Sequence, residues 1–150
     1  VFPRAQVELM AANIRRLAAE QEAGEIHVGS RMNNTRQALA MVEHARDQGR
    51  LEPLREAAMI AYWQRGRNLE DDDHLREIAA EAGLDPEIAV AASRHPEILA
   101  RVDALREEAS RMGVTGIPTF FFGDREVVVG ARSYEALALA AEAAGAQRRK

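Results

Sequence analysis

Five consecutive residues, Glu70-Asp71-Asp72-Asp73-His74, place four carboxylates beside an imidazole. Those ligand types suit a hard divalent cation. Their spacing does not, because neighbours at a helix start point apart and a single ion would meet few of them. The simpler account is electrostatic. Carboxylates in a first helical turn complement the helix dipole, by about 0.3–1 kcal/mol each. No metal site is therefore expected.

Arg65 and Arg67 stand near Tyr62 and Trp63 and could hold an anion, but a solvated helix end is the better account of them. His27, His44, His74 and His95 are scattered, and spacing builds no Ser-His-Asp set or carboxylate pair around them. Leu75 to Leu84 followed by Asp85-Pro86 resembles a helix-turn-helix. Its would-be recognition helix, Pro86 to Ser93, has no Lys, Arg, Asn or Gln to read base edges. A net charge of −4 also argues against nucleic acid or an anionic membrane as partner. The basic tail Arg148-Arg149-Lys150 reads as a solvated terminus.

The most informative stretch is Gly113-Val114-Thr115-Gly116-Ile117-Pro118-Thr119, directly before Phe120-Phe121-Phe122 and Gly123-Asp124. Pro118 opens an apolar strand, where it removes a ladder donor. A cis bond would turn the chain sharply and leave the Ile117 amide and carbonyl unpaired. Cis X-Pro bonds are a minority, about 5–6% in folded proteins. The residues alone therefore favour trans.

The elements that must position this stretch are mostly helical. Val7, Met10, Ile14, Leu17 and Ala18 share a face, and Gly24 ends that segment. Asn34 can cap a second helix with Ala38, Met41, Val42 and Ala45 inward, stopped by Gly49. Pro53 suits the first turn of a third, with Leu54, Ala57, Ala58, Ala61 and Tyr62 inward and Gly66 at its end. Leu75, Ile78, Ala79 and Ala82 follow the aspartates and end at Gly83. Asp85-Pro86 opens a short helix. His95-Pro96 opens a longer one, with Leu99, Val102, Leu105, Ala109 and Met112 inward and Gly113 as its stop.

Only then does the period change. Thr119-Phe120-Phe121-Phe122 and Glu126-Val127-Val128-Val129 are β-rich runs joined through Gly123-Asp124. Ser133 can cap a last helix with Leu137, Ala138 and Ala141 inward, ended by Gly145. The two strands read as buried on both faces. A lone hairpin is marginal in water and exposes its edges. Further strands, covering helices or a second copy should complete it, and a homodimer is one expectation.

The 150 residues suit a single domain, 47% apolar and 29% charged. No apolar run is long enough to span a membrane. The N-terminus, Val1-Phe2-Pro3-Arg4, lacks the apolar core of a signal peptide. There is no cysteine, which removes disulfides, thiolate metal sites and thiol chemistry from the chain as given and suits the cytoplasm.

Gly-Val-Thr-Gly-Ile-Pro-Thr-Phe, the Gly-Asp turn, the valine strand and Gly130-Ala131 resemble the C-terminal half of a DsbA-family thioredoxin-like domain. Asn34-Thr35-Arg36-Gln37-Ala38 with His44 to Arg50 is similar to the FrnE-like branch. So are Ala61-Tyr62-Trp63, Gly66-Arg67-Asn68-Leu69 and Ile78 to Asp85. The resemblance implies an α/β thioredoxin-like fold of DsbA type. This chain would be mostly α with one β-hairpin: residues 1–33 a helix and connection, 34–112 a helical insertion, 113–150 the C-terminal ββα part. It also implies that Pro118 is a cis-proline facing a redox motif, and that Gly116, Ile117, Pro118 and Thr119 hold a substrate polypeptide.

The family's chemistry rests on Cys-x-x-Cys, which has no counterpart here. The resemblance therefore implies the family minus its first β-α-β unit: a fragment or N-terminally incomplete chain of a thiol–disulfide oxidoreductase or isomerase, redox-inactive as given. Its partners would be protein or peptide thiols, with no cofactor. Leu39 stands where the branch sometimes carries histidine. Two alternatives remain. One is a non-catalytic peptide-binding or scaffold module. The other is a relative acting on a glutathione-bearing or aromatic substrate, like the kappa-class glutathione transferase and hydroxychromene-carboxylate isomerase branch.

Overall fold

A computed structural model describes residues 4–20, 25–29, 33–124 and 126–147. Among these described residues, seven helices and two strands follow in order: α1 Arg4–Glu20, α2 Arg36–Asp47, α3 Leu51–Trp63, α4 Asp72–Glu81, α5 Pro86–Ala92, α6 Pro96–Arg111, β1 Thr119–Phe122, β2 Glu126–Val129 and α7 Tyr134–Ala143. Two compact units are formed, Val1–Asp103 and Ala104–Lys150.

In the first unit, α2 to α5 surround one core. Met41, Leu54, Leu75 and Ile78 are its largest fully buried apolar side chains. Each contributes about 1.5–3 kcal/mol by leaving water. Alanines 45, 57, 61, 79 and 89 fill the gaps and let the helices approach closely. The helical spacing named nearly all of this core, with Val42, Ala58, Tyr62 and Leu84 packed partly buried against it.

Local chemistry sets the helix ends. The Asp71 carboxylate accepts from the N–H groups of Asp73 and His74 at the start of α4. Asp85 does the same for Glu87 and Ile88 ahead of Pro86. At the end of α2, Gly49 takes φ +66°, so that its N–H reaches Arg46 O and that of Arg50 reaches Ala45 O. This closes the helix with the paired bonds that a left-handed glycine permits. Asn34 is not the cap of α2. Thr35 occupies that position without a side-chain bond, and Asn34 Oδ1 accepts from Arg36 N–H at 3.1 Å.

Two apolar faces lie differently from expectation. On α1, Met10 and Leu17 are exposed, while Ala18 is buried as expected and Ala11 is buried with it. The Val7 side chain and Gly24 lie outside the described residues. On α6 no residue is buried: Leu99, Val102 and Ala109 are half-buried, and Leu105 and, just past the helix end, Met112 are exposed. Charge holds its first half instead. Arg36 of α2 binds both carboxylate oxygens of Asp103, at 3.2 and 2.6 Å. Arg101 binds Asp47 at 2.6 Å and the buried Glu43 at 2.8 Å.

In the second unit, β1 and β2 pair antiparallel, with Thr119 opposite Val129 and Phe122 opposite Glu126. The strand limits match the sequence expectation. Burial on both faces does not hold. Phe120, Phe122, Glu126 and Val128 share a half-buried face, and α7 packs on β2. On the other face Phe121, Val127 and Val129 are exposed. Apolar side chains occur on both faces, but among the described residues the sheet has two strands and no second cover. Ser133 caps α7 by accepting from Ala136 N–H, and Leu137, Ala138 and Ala141 are half-buried. Among the described residues, no helix is long and apolar enough to cross a membrane.

Candidate functional site

The Gly116–Thr119 loop is built by the end of α6 and the start of β1. Gly113, at φ +76°, lets the N–H of Val114 return to Ala109 O at 3.0 Å and closes the helix. Two bonds then brace the loop. Thr119 Oγ1 donates to Gly116 O at 2.6 Å, and the N–H of Gly130 donates to Pro118 O at 2.7 Å. Gly116 lies close to β2, where an added Cβ would come within 3.3 Å of Val129 Cγ1.

Between the braces stands Ile117, 90% exposed. No described residue hydrogen-bonds its N–H or its carbonyl. The Ile117–Pro118 peptide is cis, against the trans expectation from frequency alone. A local frequency cannot register the surroundings that select the minority isomer. Gly116, Ile117, Pro118 and Thr119 are thus together and accessible. None of them can ionise, so the loop offers unpaired backbone polar groups and apolar surface. That is chemistry for holding a chain, not for moving a proton.

The acidic run has other partners. Asp71 caps α4, Asp72 pairs with Arg94, and Asp73 accepts from Arg76 at 2.9 Å. Glu70 Oε1 accepts from Asn34 N–H, and His74 Nδ1 sits 3.2 Å from Asn68 O. The Arg94 guanidinium bonds Asp72 and holds that carboxyl below its ordinary value. Among the described residues, no group of three acids, histidines or cysteines could hold a metal. Arg65 pairs with Glu81 and Arg67 with Glu77, while Tyr62 and Trp63 meet edge to face at 4.9 Å.

Sequence reasoning passed over Glu43 and Arg101. The apolar spacing gave no signal for Glu43: two residues from Met41 and two from Ala45, it falls off the face those residues define. Its partner lies 58 residues away, beyond any local pattern.

Comparison with known proteins follows the same line. A probable DsbA oxidoreductase from Streptomyces coelicolor superposes with a TM-score of 0.78 at 27% identity. The match covers 99% of this chain, which spans 64% of that protein's chain. No curated protein matches significantly. The family model for the DSBA-like thioredoxin domain matches residues 3–142, and the chain belongs to that family.

Proposed function

We propose that these residues form the substrate-holding part of a thiol–disulfide oxidoreductase or isomerase of the FrnE-like branch, acting on protein thiols. The observation that carries this is Ile117, exposed with both backbone polar groups free among the described residues, on a loop braced at each side. An extended polypeptide can pair with such a backbone as an added strand does. In this reading Gly116, Ile117, Pro118 and Thr119 receive the substrate and Pro118 faces the reacting sulfurs. Residues 34–112 are the helical insertion and 113–150 the ββα part.

Disulfide exchange needs a thiolate that attacks one sulfur, forms a mixed disulfide and is released by a second thiolate. This chain has no cysteine. The pair would have to come from outside these residues, a reading supported by the 64% span of the Streptomyces protein. The chain by itself should then equal a no-protein blank in insulin reduction. The lack of thiols also favours a second reading, a non-catalytic peptide-binding module. Intact mass of the natural protein, with and without alkylation, separates the two. Uptake of two alkyl groups supports the oxidoreductase, and no uptake supports the module.

Both readings require peptide binding at the loop. Fluorescence anisotropy with an unstructured labelled peptide should show saturable binding. Ile117→Asp should weaken it by about tenfold or more, the scale of losing one well-made contact. Unchanged binding in Ile117→Asp and Thr119→Ala would refute the site. The open edges of the two-stranded sheet also favour a homodimer, and a monomer by sedimentation at all concentrations would count against it. The cysteine-free composition suits a reducing cytoplasm, which cell fractionation checks.

A further inference from the structure

The helical unit carries a cleft of about 280 Å³ lined by His27, Asn33, Tyr62, Gly66, Arg67 and Asn68, with Gly29 at its edge. Its polar wall is made of donors. Asn33 Oδ1 accepts from the N–H of Leu69 at 2.8 Å, and Asn68 Oδ1 accepts from that of Glu70 at 3.1 Å. Each carboxamide oxygen is thereby occupied, and each NH2 group is left for another acceptor. Arg67 spends Nη2 on Glu77 at 3.1 Å, while its Nε is buried with no partner. Tyr62 adds a phenolic hydroxyl and His27 an imidazole. Among the described residues, no acidic side chain lines the cleft.

The wall is also held in place. The N–H of His27 donates to Trp63 O at 2.5 Å. Its ring lies over Gly66, where an added Cβ would come within 2.5 Å of the ring carbon Cδ2. Only glycine leaves the ring that position. The cleft thus gathers a guanidinium, an imidazole, a phenol and two carboxamide NH2 groups, with no acidic side chain in its described lining.

We propose that this cleft binds a small oxyanion, a phosphate or a carboxylate, with Arg67 and Asn68 as its principal donors. The guanidinium offers charge-assisted bonds in a fork that suits either group. The cleft is too small for a large ligand, since drug-sized sites run to roughly 300–1,000 Å³. Glu77 and the ligand compete for the same guanidinium. This site is independent of the peptide-binding loop and of the oxidoreductase reading.

The test is a titration of the isotope-labelled chain with inorganic phosphate, and separately with acetate, at matched ionic strength. The side-chain NH2 resonances of Asn33 and Asn68 and the Arg67 Nε–H are followed. Saturable shifts with one-site stoichiometry are expected. Saturation by phosphate alone assigns the phosphate group, and saturation by both assigns oxyanions in general. Arg67→Gln should weaken binding by about tenfold or more. Glu77→Gln should tighten it by freeing the guanidinium. Asn68→Asp keeps the acceptor that caps Glu70 but replaces the donor with a negative charge, and should abolish binding. Arg65→Gln, whose partner is Glu81, should change nothing. If Arg67→Gln loses the native spectrum, Asn68→Asp and Glu77→Gln decide. Shifts that never saturate, or an equal loss in Arg65→Gln, would overturn the proposal.

Discussion

Arg101 on α6 donates to Glu43 of α2 at 2.8 Å, and Glu43 is only 6% exposed. Arg46 on the same helix binds the other carboxylate oxygen at 3.2 Å. A carboxylate so placed is tolerable because both its oxygens are engaged. Removing one partner leaves charge out of water, which costs more than the pair itself contributes. Arg101→Met should therefore lower the melting temperature more than Arg55→Ala, which breaks the exposed pair with Glu52. Equal shifts by calorimetry would show that Glu43 is solvated without Arg101.

Two glycines with nearly the same backbone angle make a matched pair. Gly49 and Gly66 have φ of +66° and +63°. Alanine at either meets the left-handed penalty, about 1–2 kcal/mol. Around Gly49 there is nothing within 4 Å, whereas at Gly66 the His27 ring is in the way. Gly66→Ala should thus be the more destabilising in urea unfolding. The reverse order would mean that the His27 ring moves freely.

Leu75 is fully buried between helices, and Leu105 on α6 is 49% exposed. Leu75→Ala should cost about 2–5 kcal/mol, the transfer loss plus the cavity. Leu105→Ala should cost well under half of that. Similar values in denaturant titrations would mean that Leu105 is covered in solution.

Acid should loosen the ion pairs in a defined window. Hydrogen bonds from Arg101 hold the Asp47 carboxyl below its ordinary 3.8, as those from Arg94 do for Asp72. A carboxyl lowered on folding contributes stability that is present above its unfolded value. That contribution is lost as pH falls through the lowered one. Stability should be level near neutrality and drop below about pH 4. Asp72→Asn should flatten part of the drop. An unchanged profile in that variant would remove Arg94–Asp72 from the account.

Much of the fold was legible because its rules are local. Asp71, Asp85 and Ser133 announce helix starts, and Gly49, Gly83 and Gly113 announce stops, each through bonds within a few residues. The strand limits followed from β-branched and aromatic runs. The failures are at longer range. Apolar spacing shows which face of α6 is greasy, but not that Arg101 and Asp103 tie it to residues 54 to 67 positions away. Spacing likewise cannot say what covers a strand, so Phe121 and Val127 were placed in a core that the described residues do not supply. In the site, Gly116 to Thr119 stood out by composition, but the exposure of Ile117 and the bond from Gly130 to Pro118 across the hairpin are outcomes of the fold that no local pattern states. The donor-lined cleft was half visible, as Arg67 beside Tyr62. The contributions of Asn33 and Asn68 needed the fold to bring two loops together.

The bare face of the hairpin governs how the protein behaves as a colloid. Phe121 faces Val127 across the two strands, both open to water, with Val129 beside them. Such a patch is sticky toward any similar surface, whatever the melting temperature. For these 150 residues taken alone, loss on concentration and storage should therefore follow this strip of side chains more than the packed helical core. A lysine at Val127 would make the strip wettable and leave every buried residue where it is.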